Sequence, residues 1–311
     1  MTPAQVGAVI EQVDTLWGVG DIEIALEANP HEMNVEDWRG YRAAGLTRMS
    51  LGVQSFNDDA LKMLGRDHDG ETARKALSLA MEIFPSVSAD LIFGWAGQTQ
   101  AQLNADLDGL LSAGVPHLST YQLTIEAGTA FAKAESRGQS RAVDTEVSAD
   151  FYDAVRGRLI GAGFEHYEVS NFAKPNHRSQ HNLAYWRGMD YVGVGPGAHG
   201  RITVDGVRKA TIAHLTPHAY IDAIADAGMG IDNREILSPQ DWAAEYLLMG
   251  LRIDEGISLS RYAELSGAEL NADELAYLTD AGLVSQSGDL LLATSAGRLV
   301  LNAVTERLLL A

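Results

Sequence analysis

The sequence predicts an α/β protein built on a parallel sheet, followed by a small domain of helices and one hairpin. Short apolar runs alternate with amphipathic ones between residues 22 and 170, which indicates repeated strand–helix units and hence a parallel sheet. After residue 238 the order becomes three helices, a hairpin and a last helix. At 311 residues and 46% apolar content, the chain can bury one large core and one small one. We expect domains at 1–230 and 231–311.

The first element is predicted as a helix with Thr2 as N-cap and Pro3 at its first position. Five strands are expected to follow, with a capped or glycine-terminated helix between successive strands. The predicted strands are 22–28, 47–53, 87–93, 117–123 and 164–170, and the helices between them begin near 34, 71, 99 and 144. Further on, we predict a short strand from Tyr191, a hairpin over 201–209 turning at Asp205-Gly206, and a helix over 220–227.

The C-terminal residues predict a winged-helix-like domain. Ser238, Ser258 and Asn271 are expected to cap helices, residues 283–293 to form a hairpin, and Thr294 to begin the last helix. From residue 238 onward there are four Arg and no Lys against eleven Asp and Glu. Such a surface repels phosphate, so the domain is predicted to pack or to dock a partner rather than to bind DNA.

Charge and composition exclude several classes of function. A formal charge of −19 argues against nucleic acid as a partner. No apolar run approaches membrane-spanning length and the N-terminus lacks a signal-peptide pattern, so we expect a cytoplasmic protein. The cysteine count of zero excludes disulfides, thiol catalysis and a thiolate-held [4Fe–4S] cluster in this chain.

Polar residues recur at or near the ends of the predicted strands. A parallel sheet or barrel binds its ligands at the carboxyl edge, and each of these side chains could also be a cap or a strand-end hydrogen bond. Their recurrence favours a ligand-binding edge. The residues are Glu27, Gln54, Asp90, Gln122 and His166.

The stretch from Gln180 to Gly200 concentrates the most chemistry. His181 and Tyr185 share a face if the backbone is helical, with Trp186 beside them. An imidazole among aromatic rings suits haem, because neutral imidazole can ligate iron while rings cover the macrocycle. The alternative is a histidine that only packs and hydrogen-bonds. The glycine-rich loop 193–200 either lets backbone approach a ligand or is simply a turn.

Several motifs occur in the order typical of one protein family. They are HNLAYW at 181–186, GVGPGAHG at 193–200, LEANP at 26–30, SLGVQSF at 50–56, DLIFG at 90–94 and YQLT at 121–124. Together they cover nearly the whole chain. The sequence resembles the HemW-type haem chaperones, relatives of the oxygen-independent coproporphyrinogen III oxidases within the radical SAM proteins. Trp95-Ala96 departs from the Leu-Pro usual in the family and puts the local loop geometry in question.

The resemblance implies a partial (β/α) barrel of radical SAM type for residues 1–230, with the haem motif at 180–200. It implies His181 as the haem-iron ligand, with Tyr185 and Trp186 as covering rings, Asn182 as an orienting residue and loop 193–200 as the pocket wall. It also implies contacts to S-adenosylmethionine. The matching positions are Glu27, Gln54, Arg66, Asp90 and Gln122.

A cysteine-rich loop precedes the first helix in the resembled family. Met1 is therefore expected to be an internal methionine, an alternative start or a misassigned one. Without an earlier strand, 22–28 becomes an unpaired sheet edge, which predicts marginal solubility or oligomerisation. Four cations near the motif could attract porphyrin carboxylates, and the alternative for each is an ordinary solvated surface charge. They are Lys174, Arg178, Arg187 and Arg201.

The function predicted first is binding of haem and its transfer to an acceptor protein, with membrane contact only through such a client. Two alternatives stay open. One is radical decarboxylation of coproporphyrinogen III, which this chain's lack of cysteine prevents. The other is a metal-dependent barrel hydrolase using His166, His181 and His199. The sequence leaves open whether S-adenosylmethionine binds without the cluster and whether the chain pairs with a second copy.

Overall fold

The computed structural model describes residues 1–18 and 20–310. The chain divides into two compact units, residues 1–179 and residues 180–311. Ala311, the last residue of the second unit, lies outside the described residues. The segment 180–200 therefore groups with the C-terminal residues, not with the strand–helix repeats. The division into domains at residue 230 stays a prediction.

The first unit contains an open six-stranded sheet in the order β1-β2-β3-β4-β6-β5. Strands β1 to β4 are mutually parallel, so the predicted series of β/α units is confirmed for them and gives part of a barrel. Among the described residues β1 lies at one end of the sheet, as expected. The strands are β1 Ala25–Ala28, β2 Arg48–Gln54, β3 Ser86–Phe93, β4 His117–Gln122, β5 Glu165–Glu168 and β6 Asn171–Ala173.

The fifth predicted strand, 164–170, is wrong as a single parallel strand. The chain reverses at Val169 and Ser170, and β6 returns between β4 and β5, antiparallel to both. The Glu168 carboxylate holds this reversal, since it accepts from the Ser170 amide at 2.8 Å and from Asn171 Nδ2 at 2.6 Å. Residues 165–173 therefore form two short paired strands, β5 and β6, instead of one longer strand.

Helices cover the sheet and bury its apolar side chains. The predicted caps are confirmed: the side chains of Thr2, Thr99 and Asp144 each accept from a first-turn amide. The helices are α1 Pro3–Trp17, α2 Val35–Ala43, α3 Asp58–Met63, α4 Gly70–Ile83, α5 Gln100–Ser112, α6 Ala130–Glu135 and α7 Thr145–Gly161, with a 3₁₀ turn at Pro30–Glu32. Fully buried residues from both layers, such as Leu51, Leu91, Leu77 and Leu107, form one core.

The second unit begins with helix α8, Gln180–Trp186, and continues into a three-stranded antiparallel sheet. The hairpin turn at Asp205 and Gly206 is confirmed, with φ of 52° and 75°. A strand from Tyr191 was wrong: Tyr191 makes one isolated bridge to Arg201. The elements after α8 are β7 His199–Val204, β8 Val207–Ala213, α9 Pro217–Ala227 and β9 Ile231–Ile236.

The winged-helix-like order is confirmed for the C-terminal residues. The last predicted helix divides at Val300, and a short strand, Ile257–Ser258, joins the hairpin. The elements are α10 Pro239–Gly250, β10 Ile257–Ser258, α11 Leu259–Ser266, α12 Ala272–Asp280, β11 Val284–Ser287, β12 Leu290–Ala293, α13 Ser295–Leu299 and α14 Leu301–Leu310. Within residues 1–18 and 20–310, no helix has the length and apolarity needed to cross a bilayer.

Candidate functional site

Helix α8 places His181 and Tyr185 of the HNLAYW motif one turn apart. The ring centroids of His181 and Tyr185 lie 4.9 Å apart at 83°, an edge-to-face contact. Tyr185 in turn meets Tyr191 at 4.5 Å and 72°. The expected helical spacing is therefore confirmed. His181 is exposed.

Trp186 has a different environment from the one expected. The Arg252 guanidinium lies over its ring, 4.7 Å from the centroid. Its indole Nε1 is buried and, in the described part of the chain, has no hydrogen-bond partner. The covering role of Trp186 and the orienting role of the half-buried Asn182 stay predictions.

A small cavity lies beneath the ring contacts. It has a volume of about 50 Å³, which is room for water but not for a macrocycle. Tyr185, Tyr191, Arg208 and Glu245 are among the residues that line it. A porphyrin bound at His181 therefore does not occupy this cavity.

The glycine-rich loop packs tightly against its own chain. A Cβ on Gly193 would lie 2.1 Å from the His199 carbonyl oxygen, and one on Gly200 would lie 2.5 Å from Thr211 Oγ1. These glycines allow backbone to approach backbone, while Gly195 and Gly197 supply positive φ of 110° and 70°. Val194, 78% exposed, lies in this loop and presents an apolar side chain to solvent.

The four cations near the motif each bind groups of the chain itself. Arg187 pairs with Glu255 and Arg201 with Glu245, both through two nitrogens. Arg178 pairs with Glu165, and Lys174 donates to the Ala162 carbonyl. The expected attraction of porphyrin carboxylates therefore lacks support from these side chains.

A second polar site lies at the carboxyl edge of the parallel strands. Burial raises the pKa of Asp90 to about 6; a hydrogen bond from Ser119 lowers it, the Glu27 charge raises it and the Arg66 charge lowers it. Electrostatic coupling of this kind means that Glu27 and Arg66 lie near Asp90. Burial and the nearby Asp90 charge also raise the pKa of Tyr121. Sequence reasoning missed Ser119 and Tyr121, although Ser119 is the register partner of Asp90 in β4.

Gln54 and Arg66 carry buried polar atoms that no described residue satisfies. These atoms are Gln54 Oε1 and Arg66 Nε. Gln54 also has a left-handed φ of 63°, a strained backbone that is often found where a ligand is clamped. Gly52 gives it space, since a Cβ there would lie 2.9 Å from Gln54 Nε2. Unsatisfied acceptors and donors of this kind fit a polar, charged ligand.

Gln122 ends β4, opposite Phe93, and is exposed. The loop after β3, whose geometry the sequence left in question, is well anchored, because the Ala96 amide donates to the Arg141 carbonyl at 3.0 Å and Trp95 is buried.

The carboxylates, amides and guanidinium group of this second site fit the amino, hydroxyl and carboxylate groups of S-adenosylmethionine. An iron–sulfur cluster does not fit this chain, since its 311 residues include no cysteine.

The hydrolase alternative is not supported. His166 stacks on Phe172 at 4.3 Å and 7°, and its Nε2 lies 3.1 Å from the Val169 carbonyl oxygen, so it packs within the first unit. Throughout the residues that the structure describes, no group of three or more His, Cys, Asp or Glu side chains could hold a metal ion. His181 and His199 belong to the second unit.

Two family models match the chain. The model of the radical SAM superfamily matches residues 5–110. The model of the HemN C-terminal domain matches residues 237–300, which are the winged-helix-like elements.

Similar proteins cover most of the chain. The haem chaperone HemW of Mycobacterium tuberculosis is 40% identical over 290 residues, which are 93% of this chain and 72% of the relative. The mitochondrial radical S-adenosyl methionine domain-containing protein 1 of Danio rerio is 38% identical over 88% of this chain, which spans 63% of that relative. The solved structure of Escherichia coli coproporphyrinogen III oxidase (HemN), a radical SAM enzyme, superposes with a TM-score of 0.79 at 21% identity, over 99% of this chain and 74% of that one. At that identity the likeness shows the fold alone.

Proposed function

This chain belongs to the HemW family of the radical SAM superfamily, and we propose on that basis that it binds haem and passes it to an acceptor protein. The observation that supports this most is the exposed imidazole of His181 against the edge of Tyr185. His181 is the proposed axial ligand of the haem iron. Haem is the cargo of such a protein, so the site must hold it and also release it.

The surroundings of His181 suit a reversible porphyrin site. An imidazole on the outer face of a helix can ligate iron without enclosing the macrocycle, which leaves the opposite face of haem free for an acceptor. Val192 and Val194 expose apolar side chains on the following loop. Apolar surface of this kind favours contact with a flat macrocycle over contact with water. We assign the loop 193–200 as one wall of the site.

The second site is proposed to bind S-adenosylmethionine. Arg66 would pair with its carboxylate, and Glu27 and Asp90 would accept from its amino group or ribose hydroxyls. Gln54 and Gln122 would supply amide contacts. Radical chemistry of S-adenosylmethionine requires an electron from an iron–sulfur cluster. Because these 311 residues offer no thiolate, we assign this chain ligand binding and derive no radical step.

Oxidative decarboxylation of coproporphyrinogen III is the less favoured function. It requires the cluster for which no cysteine is present, and the HemN likeness extends to the fold alone. The HNLAYW motif on α8, with an accessible histidine, favours the haem-carrying function instead.

Titration of the purified chain with ferric haem, followed by mixing with apomyoglobin, tests the proposal. Binding should shift the Soret band and saturate at one haem per chain, and the myoglobin spectrum should then appear faster than by exchange from free haem aggregates. Metal-free protoporphyrin IX is the control, and it should bind more weakly because it offers no iron to His181. Equal binding of the two porphyrins would contradict coordination through iron.

A further inference from the structure

We propose that Tyr191 is a positioning residue for His181, and that a set of ion pairs ending on helix α10 holds it in place. The inference deepens the proposed haem function and rests on it for its meaning. Tyr191 lies outside the HNLAYW motif.

The three rings form a continuous series. His181 contacts Tyr185 edge to face, and Tyr185 contacts Tyr191 in the same manner at 4.5 Å. Tyr185 thus contacts both of the other rings. Helix α8 has only seven residues, so it is too short to keep its own geometry without tertiary contacts. The position of Tyr191 therefore limits where Tyr185, and with it His181, can lie.

The backbone of Tyr191 is fastened to β7. Its amide donates to the Arg201 carbonyl at 2.7 Å, and the Arg201 amide donates back at 2.9 Å. The Arg201 guanidinium is itself gripped by Glu245 on α10, with Nη2 to Oε1 at 2.7 Å and Nε to Oε1 at 3.0 Å. A bidentate pair of this kind fixes orientation as well as distance.

Asp190, the residue before Tyr191, is also held by several hydrogen bonds. The Asp190 carboxylate accepts from the Thr203 amide at 2.6 Å, from the Thr203 hydroxyl at 2.8 Å and from Arg208 Nη1 at 2.9 Å. The Arg208 side chain is only 4% exposed and lies over the ring of Trp242, which belongs to α10. Arg201 bonds Tyr191 through its backbone and Arg208 bonds Asp190 through its side chain, and the guanidinium groups of both arginines reach the same helix.

Such an arrangement can set the direction of an axial ligand. The groups behind a metal ligand usually fix its ring orientation by hydrogen bonds, and a loss of that support commonly weakens metal binding 10- to 100-fold. Here the support consists of ring contacts and a backbone bridge. Glu245 is the shared carboxylate, since its Oε2 also lies 4.0 Å from Arg208 Nε.

Two readouts test the inference, one of them without haem. In the ligand-free protein, the ring resonances of His181, identified by their loss in H181A, should move in Tyr191→Ala and stay near their wild-type position in Tyr191→Phe, which keeps the ring. In the haem complex, Tyr191→Ala should weaken binding roughly 10-fold and alter the electron paramagnetic resonance signal of the ferric iron. Tyr191→Phe should restore both. Tyr277→Ala, which removes a tyrosine of α12 that packs on Arg307 of α14, is the matched control.

Glu245→Gln provides a second route if Tyr191→Ala is poorly folded. It keeps the size of the side chain and removes the charge, so it should displace the His181 resonance in the same direction to a smaller extent. An unmoved His181 resonance in both variants would overturn the inference, even if the wild type binds haem. A moved resonance in a wild-type protein that binds no haem would keep the geometric link and refute the proposed function.

Discussion

The imidazole of His181 meets the ring of Tyr185 edge to face, with 4.9 Å between their centroids. The contact follows from a spacing of four residues on α8, and it leaves the imidazole exposed. The contact supports the proposal that His181 is the haem-iron ligand.

Arg48 should contribute strongly to the stability of the first unit. Its guanidinium, 4% exposed, donates to Glu23 at 2.7 Å, to Ser88 Oγ at 2.9 Å and to the His177 carbonyl at 2.9 Å. Arg48→Met strands these acceptors and should lower the free energy of unfolding by about 3–5 kcal/mol in urea titrations. Arg39→Met breaks an exposed pair with Glu82 and should cost less than about 1 kcal/mol. Equal losses would contradict the buried role of Arg48.

Asp90 should make the chain less stable as the pH rises. Burial raises its pKa from 3.8 to about 6, so between those values the folded protein keeps a proton that the unfolded chain has lost. Asp90→Asn should therefore raise the free energy of unfolding at pH 7 by about 1–3 kcal/mol, with the gain shrinking towards pH 4. Urea titrations at both pH values measure it, with the exposed Asp226→Asn as control. A gain that is independent of pH would count against the assignment.

Gly200 lies so close to Thr211 and Gly193 that the loop 193–200 should not tolerate a methyl group at this position. A Cβ there would lie 2.5 Å from Thr211 Oγ1 and 3.1 Å from the Gly193 amide nitrogen. Gly200→Ala should destabilise the second unit by about 1–3 kcal/mol and speed amide hydrogen exchange in residues 191–200. Gly157→Ala is the control, because it lies in α7 with open space around it and should be neutral or slightly stabilising.

Arg66 should decide the affinity for S-adenosylmethionine. Its buried Nε has no partner among the described residues, and its charge reaches Asp90. Arg66→Met should weaken binding in calorimetric titrations at least about 10-fold, which corresponds to one charge-assisted hydrogen bond. Arg137→Met, an exposed substitution, should leave affinity unchanged. If Arg66→Met binds S-adenosylmethionine with wild-type affinity, Arg66 does not contact this ligand.

Local signals predicted much of the fold. The caps at Thr2, Thr99 and Asp144 and the turn at Asp205-Gly206 depend on a few neighbouring residues, and all are confirmed. Strand β9 was missed because most of its residues are polar and exposed, so neither an apolar run nor alternation indicates it.

The parts of the site that the sequence did not predict are non-local. Asp190 binds Arg208, 18 residues away, and Arg201 binds Glu245, 44 residues away. Periodicity and capping contain no information on such pairs. The sequence predicted the helical spacing of His181 and Tyr185. The ion pairs that hold the neighbouring residues 190 and 191 are visible only in the folded chain. The reversal at Glu168 has local contacts to Ser170 and Asn171, but the position of β6 beside β4 also depends on non-local pairing that the sequence pattern did not indicate.

The central claim is that His181 binds the haem iron, and an absorbance titration of wild type and His181→Ala with ferric haem tests it most directly. His218→Ala, which removes a histidine with a 92% exposed side chain on α9, serves as control. The account predicts a saturable Soret shift in wild type and His218→Ala. In His181→Ala it predicts either no shift or a Soret band at the position of haem without an imidazole ligand. The same shift and affinity in His181→Ala as in wild type would contradict it.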